Sequence, residues 1–218
     1  MKLRLARLSA LIGRTPALEL EPLVRGLLIH YFFHVSQKEI VRIDAGSAGA
    51  ARSVNLLAPV LFKGRGQIVL SPSTVFGWTP SPLSYRCSHV EARFPGAVIR
   101  IGERTTINNG ASLLAEGAGI VIGNRCLIGT ELQVMDTNAH ELELGRRQLP
   151  DSKTRQVVIG DDVFIGSRVT LLKGSRIGDG CVISAGTVMP PGFEAPPMAI
   201  VAGNPARVVG RVAASAAA

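Results

Sequence analysis

Large aliphatic residues recur every six positions along much of this chain. The longest run has heads at Ile159, Ile165, Leu171, Ile177, Ile183 and Met189, inside "IGDDVFIGSRVTLLKGSRIGDGCVISAGTVM". Shorter runs put heads at Leu70 and Phe76, at Ile101, Ile107 and Leu113, and, after three extra residues, at Ile122, Ile128 and Val134. Neither the 3.6-residue helical period nor strand alternation produces a period of six. A solenoid of short strands and tight turns does, because each head stacks over the residue three hexapeptides away. The pattern therefore predicts an all-β solenoid of triangular coils, with Ile159 beneath Ile177. The second residue of the hexapeptide is often glycine (Gly160, Gly166, Gly178), and a positive φ at that turn is the expected reason. The fifth is small or β-branched (Thr105, Cys126, Val163, Val169, Ser175, Cys181, Thr187) and is expected to point inward.

Ahead of the repeats, Leu20, Leu23, Val24, Leu27, Leu28, Tyr31 and Phe32 are spaced for one face of a helix, with Thr15 as N-cap and Pro16 in the first turn. The expected helix over 18–33 packs on the main domain or another subunit, or lays its aromatic face on a membrane with Arg25 toward lipid phosphates. Residues 40–67 show no clean period. The chain thus divides into a helical and irregular segment (1–67), a β-helical domain (68–203) and a C-terminal tail (204–218) whose "VAASAAA" end is expected to fray.

The period breaks once inside the domain. After Val134 the next head should fall at residue 140, but the sequence there is "VMDTNAHELELGRRQLPDSKTRQV", and regular heads resume only at Ile159. An excursion over 137–157 that leaves and re-enters a rigid scaffold is a common way to place reactive groups. His140, at its root, has the side chain best suited to accept a proton near neutral pH. A carboxylate on one ring nitrogen would leave the other free as a base, and Asp136, Glu141 and Glu143 are the local candidates. Asn138 is a further neighbour. The other histidines have ordinary readings: His30 and His34 flank the amphipathic segment, and His89 lies in an unassigned turn.

Composition narrows the chemistry. The formal net charge of +8 favours anionic partners. Aromatic residues are only 5% of the chain, the arginines are scattered, and there is no zinc-finger spacing or phosphate-binding glycine loop, so nucleic acid is not expected. Within the excursion Arg146, Arg147, Lys153 and Arg155 form either a solvated loop or contacts to a phosphorylated, nucleotide-linked or anionic saccharide. Three cysteines with no CxxC pair fit free thiols in a reducing compartment. Cys126 and Cys181 fall in the packing register, and Cys87 near His89 does not by itself make a nucleophile. No ligand set supports a metal centre, and Ser152 and Ser167 lack a nucleophile-elbow context. No stretch reaches the ~20 apolar residues of a membrane span. The basic residues threaded through "MKLRLARLSALIGR" argue against a secretory signal, so a cytoplasmic location is expected, with the inner face of the membrane an option.

The hexapeptides, "MDTNAHEL", "VVIGDDVFIG" and the closing "IVAGNPARVV" together resemble the left-handed β-helix acyltransferases of the sugar O-acetyltransferase type, over residues 68–210. The resemblance implies an acetyl-CoA-dependent enzyme, a homotrimer with active sites at subunit boundaries, and His140 as the base that deprotonates an acceptor hydroxyl. It implies acceptor contact at Asn108, although adjacent Asn109 competes for that place, a pantetheine channel past Ser167 and Ala185, and Arg207 near the coenzyme's phosphate end. Met189 and Pro190 stand where many relatives have a Thr-Lys pair. The expected acceptor is a hydroxyl of a saccharide or sugar nucleotide in surface polysaccharide or glycoconjugate synthesis. Amino-sugar N-acetylation, serine or xenobiotic O-acetylation and a non-enzymatic scaffold are the alternatives. The serine version is disfavoured because the stretch before the solenoid lacks a multi-helix domain.

Overall fold

The computed structural model describes residues 26–27, 41–43, 54–78 and 86–213. Gly26 and Leu27 are helical and exposed. The rest of the expected 18–33 helix, with its membrane face, His30 and His34, lies outside the described residues, as does the end of the tail from residue 214.

Each hexapeptide supplies one short strand, and successive strands fall in different sheets. The first sheet holds seven strands, from Val41–Ile43 to Glu194–Ala195. The second holds eight, from Asn55–Leu56 to Arg207–Arg211, and the third six, from Val60–Gly64 to Val188–Met189. The result is an all-β, mostly parallel, three-sheet solenoid. The heads stack in register: Leu70, Ile101, Ile122, Ile159, Ile177 and Ala195 in the first sheet; Phe76, Ile107, Ile128, Ile165, Ile183 and Val201 in the second; Phe62, Val90, Leu113, Val134, Leu171 and Met189 in the third. None is more than 5% exposed, and each large one contributes about 1.5–3 kcal/mol by leaving water. The fifth-position residues, Cys126 and Cys181 included, are buried beside them. Phe62 and Phe76 meet edge to face, 5.7 Å between centroids.

Stacking begins before the period becomes readable. Val41–Ile43, Asn55–Leu56 and Val60–Gly64 already pair parallel with strands of the following coil, inside the segment read as helical and irregular. Leu56 and Phe62 keep the six-residue spacing, but Phe62 and Leu70 are eight apart, and the count is lost there while the register of the strands holds. At the other end, Arg207–Arg211 turns back antiparallel onto Ala199–Ala202, so part of the expected tail is a strand.

Gly160, Gly166 and Gly178 do not have positive φ. That conformation belongs to the fourth position, where it is taken by Gly174, Gly180 and Gly186 and also by Arg104, Arg125, Asp162 and Arg168. The second position needs a glycine because the next coil lies against it: a Cβ on Gly166 would sit 2.6 Å from the Ala185 nitrogen. Gly166→Ala should therefore cost about 1–3 kcal/mol by forcing adjacent coils apart. Gly186→Asn, at an open site with φ +72, should stay within about 0.5 kcal/mol because asparagine tolerates the left-handed region. Thermal melts of the two variants check this, and equal losses would remove the close-packing explanation.

Candidate active site

The excursion leaves the third sheet after Gln133–Met135 and rejoins the first at Val157–Ile159. Its arms run antiparallel: His140 bridges Pro150, the Glu141 N–H donates to the Leu149 carbonyl at 3.1 Å, and the Asp151 N–H donates to the Ala139 carbonyl at 3.3 Å. The excursion is thus a small hairpin, not an open loop. Leu142, Leu144 and Leu149 are exposed near its tip. His140 is exposed at its root, and among the described residues its side chain has no hydrogen-bond partner.

Asp136 is close in sequence but committed elsewhere. Its fully buried carboxylate accepts backbone N–H groups of Glu116 at 2.8 Å, Gly117 at 3.1 Å and Gly119 at 2.7 Å. It holds the corner of the preceding coil and is not available to orient His140. Glu141 accepts from the Ser152 hydroxyl and backbone, and Glu143 lies near Arg146 at 3.6 Å. Asn138 contributes its backbone N–H to Asp151 at 2.7 Å.

Beneath the hairpin runs a buried polar chain that the periodicity does not announce. Arg93 grips Glu91 through two nitrogens and donates to Glu116 at 2.7 Å. The Thr137 hydroxyl donates to the other Glu116 oxygen at 2.7 Å. Asp151 accepts the Asn138 and Lys153 N–H groups and the Lys173 ammonium. Burial pushes the Asp151 carboxyl up, but the Asn138 N–H, Lys173 and the Lys153 N–H outweigh it and bring it down to about 2. Lys173 comes from the next coil and is itself buried.

The four excursion cations separate. Arg146 and Arg147 lie in the exposed outer part of the hairpin. Lys153 and Arg155 line a cavity of about 450 Å³ at its base, together with Asn138, Glu141, Glu143 and Lys173. The mixed charge of that lining does not single out an anion. Arg155 also lies over Gly174 and Gly192, where a Cβ would come within 3.1 Å of its guanidine nitrogens.

The remaining predicted residues gather on a different corner, where the second sheet passes to the third. Asn108 and Ser167 line one groove of about 530 Å³. Ala185 stacks on Gly166 one coil further, and Arg207 pairs with Ala202 at the end of the same sheet. From Asn108 to Ala185 is three coil steps, roughly 14 Å at ~4.8 Å each. Asn109 is excluded as the ligand-facing amide. It is buried and clamps Trp78, accepting its N–H at 3.0 Å and donating to its carbonyl at 3.3 Å. The groove wall includes Trp78, Leu127 and Phe164, all about half exposed, none of which the periodicity picks out. A signal existed: Leu127 and Phe164 sit one residue before their heads, outward positions where large apolar side chains are out of place. His140 is not brought to this groove within one chain, because the two lie at different corners of the coil.

The other sequence candidates play no part here. Among the described residues no cluster of three His, Cys, Asp or Glu side chains could hold a metal ion, and no helix is long and apolar enough to cross a membrane. The Cys87 thiol donates to the Ser88 carbonyl and burial pushes its pKa up, while burial pushes His89 down beside Glu91.

Residues 156–191 match the family model described as bacterial transferase hexapeptide (six repeats). YvoF of Bacillus subtilis (strain 168), named as an acetyltransferase, is 37% identical over 92 residues, 41% of this chain and 46% of that protein. Serine acetyltransferase 4 of Arabidopsis thaliana is 34% identical over 100 residues, 46% of this chain and 26% of that one. The polysialic acid O-acetyltransferase of Neisseria meningitidis is 34% identical over 79 residues, 35% of either chain. The crystal structure of the polySia-specific acetyltransferase NeuO shares the fold, with a TM-score of 0.57 at 19% identity over 82% of this chain and 92% of the other. The chain spans about half the length of the first curated relatives it matches, or less.

Proposed function

We propose that the repeat region of this chain belongs to the hexapeptide-repeat β-helix acyltransferases and that the protein is an acetyl-CoA-dependent O-acetyltransferase acting on a saccharide hydroxyl. The observation that carries the reading is the imidazole of His140, without a partner among the described residues and held on a hairpin root while its neighbouring carboxylates are engaged elsewhere. A free ring nitrogen at such a place is what a general base needs.

In the proposed reaction the His140 imidazole accepts the acceptor's hydroxyl proton as the oxygen attacks the thioester carbonyl. The new C–O bond forms, the C–S bond breaks, and the imidazolium returns the proton to the departing thiolate. The apolar wall of Trp78, Leu127 and Phe164 and the small residues Ser167 and Ala185 suit a long, uncharged pantetheine arm. Asn108, whose side-chain oxygen accepts the Asn109 N–H at 2.8 Å, keeps its amide N–H groups for an acceptor hydroxyl. Arg207 lies toward the phosphate end. Since His140 and this groove occupy different corners, a composite site calls for a second copy, which supports the expected homotrimer. The saccharide acceptor draws on the polysialic acid relative, while the serine acetyltransferase relative keeps an amino-acid hydroxyl as the second reading. A cytoplasmic location remains part of the proposal.

The deciding measurement is coenzyme A thiol release from acetyl-CoA across saccharides, sugar nucleotides, amino sugars and serine, followed by NMR of the product. Acetyl on a sugar oxygen is the expected result. Acetyl on an amino nitrogen or on serine would replace the acceptor assignment, and no release with any acceptor would favour a scaffold.

A further inference from the structure

The hairpin arms alone do not explain how His140 is aimed. Ala139, immediately before it, has φ +64, a left-handed conformation that an L-residue with a Cβ adopts only where its surroundings over-determine it. Three backbone groups leading into His140 are fixed. The Asn138 N–H donates to Asp151 Oδ2 at 2.7 Å, the Ala139 N–H donates to Thr137 Oγ1 at 2.8 Å, and the Ala139 carbonyl accepts the Asp151 N–H at 3.3 Å. Two of these three bonds end on Asp151. That residue is in turn tied to the next coil by the buried ammonium of Lys173, so the turn inherits the rigidity of the stacked sheets.

We propose that Asp151, backed by Lys173, is the positioning residue for His140: it holds the left-handed turn at Ala139 that sets the direction of the imidazole, without touching the reacting atoms. The proposal rests on His140 being the base. It differs from a sequence-local dyad, since Asp151 acts through the backbone, its carboxylate on the Asn138 N–H and its own N–H on the Ala139 carbonyl, and not through a bond to the ring.

A double-mutant cycle on the full chain tests it, with kcat and KM for acetyl-CoA measured for wild type, Asp151→Asn, His140→Ala and the double variant. Asp151→Asn should lower kcat about tenfold, as misplacement of a catalytic group does, with KM for the donor changed less than about twofold. On the His140→Ala background the same substitution should have little further effect, because the group it aims is gone. An undiminished tenfold loss on that background would show that Asp151 only supports the fold, and unchanged kcat in the single variant would overturn the proposal directly. If Asp151→Asn does not fold, Ala139→Gly loosens the same turn while keeping every hydrogen bond, and it should show the same dependence on His140. Full activity of His140→Ala is a separate result, which would sink the assignment of the base itself.

Discussion

His140→Ala is expected to cut acetyl-transfer turnover at least about 100-fold while leaving the thermal transition within about 0.5 kcal/mol of wild type. Both halves follow from the geometry. The imidazole is exposed and makes no hydrogen bond among the described residues, while the hairpin is held by backbone contacts: Glu141 to Leu149, Asp151 to Ala139, and the bridge from His140 to Pro150. Truncation at Cβ removes none of these. General-base assistance commonly contributes 10²–10⁴-fold, and a loss of about 100-fold corresponds to roughly 2.7 kcal/mol in the barrier. Turnover by thiol release, alongside a melt and a sedimentation measurement of assembly, separates chemistry from folding. A folded variant with near-normal turnover would falsify the role given to His140.

Lys173→Met is expected to act in the opposite way, costing about 3–5 kcal/mol of stability because it leaves the Asp151 carboxylate buried without its cation. Asp151 would keep its backbone donors, Asn138 and Lys153, so the loss is partial. Adding Asp151→Leu should recover part of the deficit by removing the unpaired charge, although those two N–H groups then lose their acceptor. The pair also has an acid signature. The Asp151 carboxyl titrates near 3.8 when free and at about 2 in the fold; its stabilisation is complete above the unfolded value and is lost as pH falls through the folded one. In Lys173→Met that drop toward pH 2 should shrink, since one cause of the low value is gone. Denaturant titrations between pH 2 and 6 for both proteins check the expectation; indistinguishable curves would mean the ion pair contributes nothing.

The solenoid was readable because one hexapeptide makes one strand and one corner, so a chemical period in the chain becomes a spatial one. That logic found the heads, the inward Cys126 and Cys181, and the departure at His140. It failed where the spacing departs from six, as between Phe62 and Leu70, and so missed the strands at Val41–Ile43, Asn55–Leu56 and Val60–Gly64. It also misassigned the glycines, because a period does not say whether a small residue answers a turn or a neighbour. Asp136 looked like a partner for His140 through proximity in sequence, yet at a corner adjacent side chains diverge, and its carboxylate faces the coil before it. The contacts that prepare the site join distant residues, Lys173 with Asp151 across 22 positions and Asn109 with Trp78 across 31, and no local pattern records them.

The strand at Arg207–Arg211 closes one edge of the solenoid. A stack of parallel rungs offers its last row of N–H and C=O groups to any chain that could lay down another rung, and repeats this regular would template their own extension. By folding back antiparallel onto Ala199–Ala202, the chain occupies that row in the second sheet with a strand of the wrong polarity for continuation. At that end the second sheet therefore presents an edge of the wrong polarity for another parallel rung.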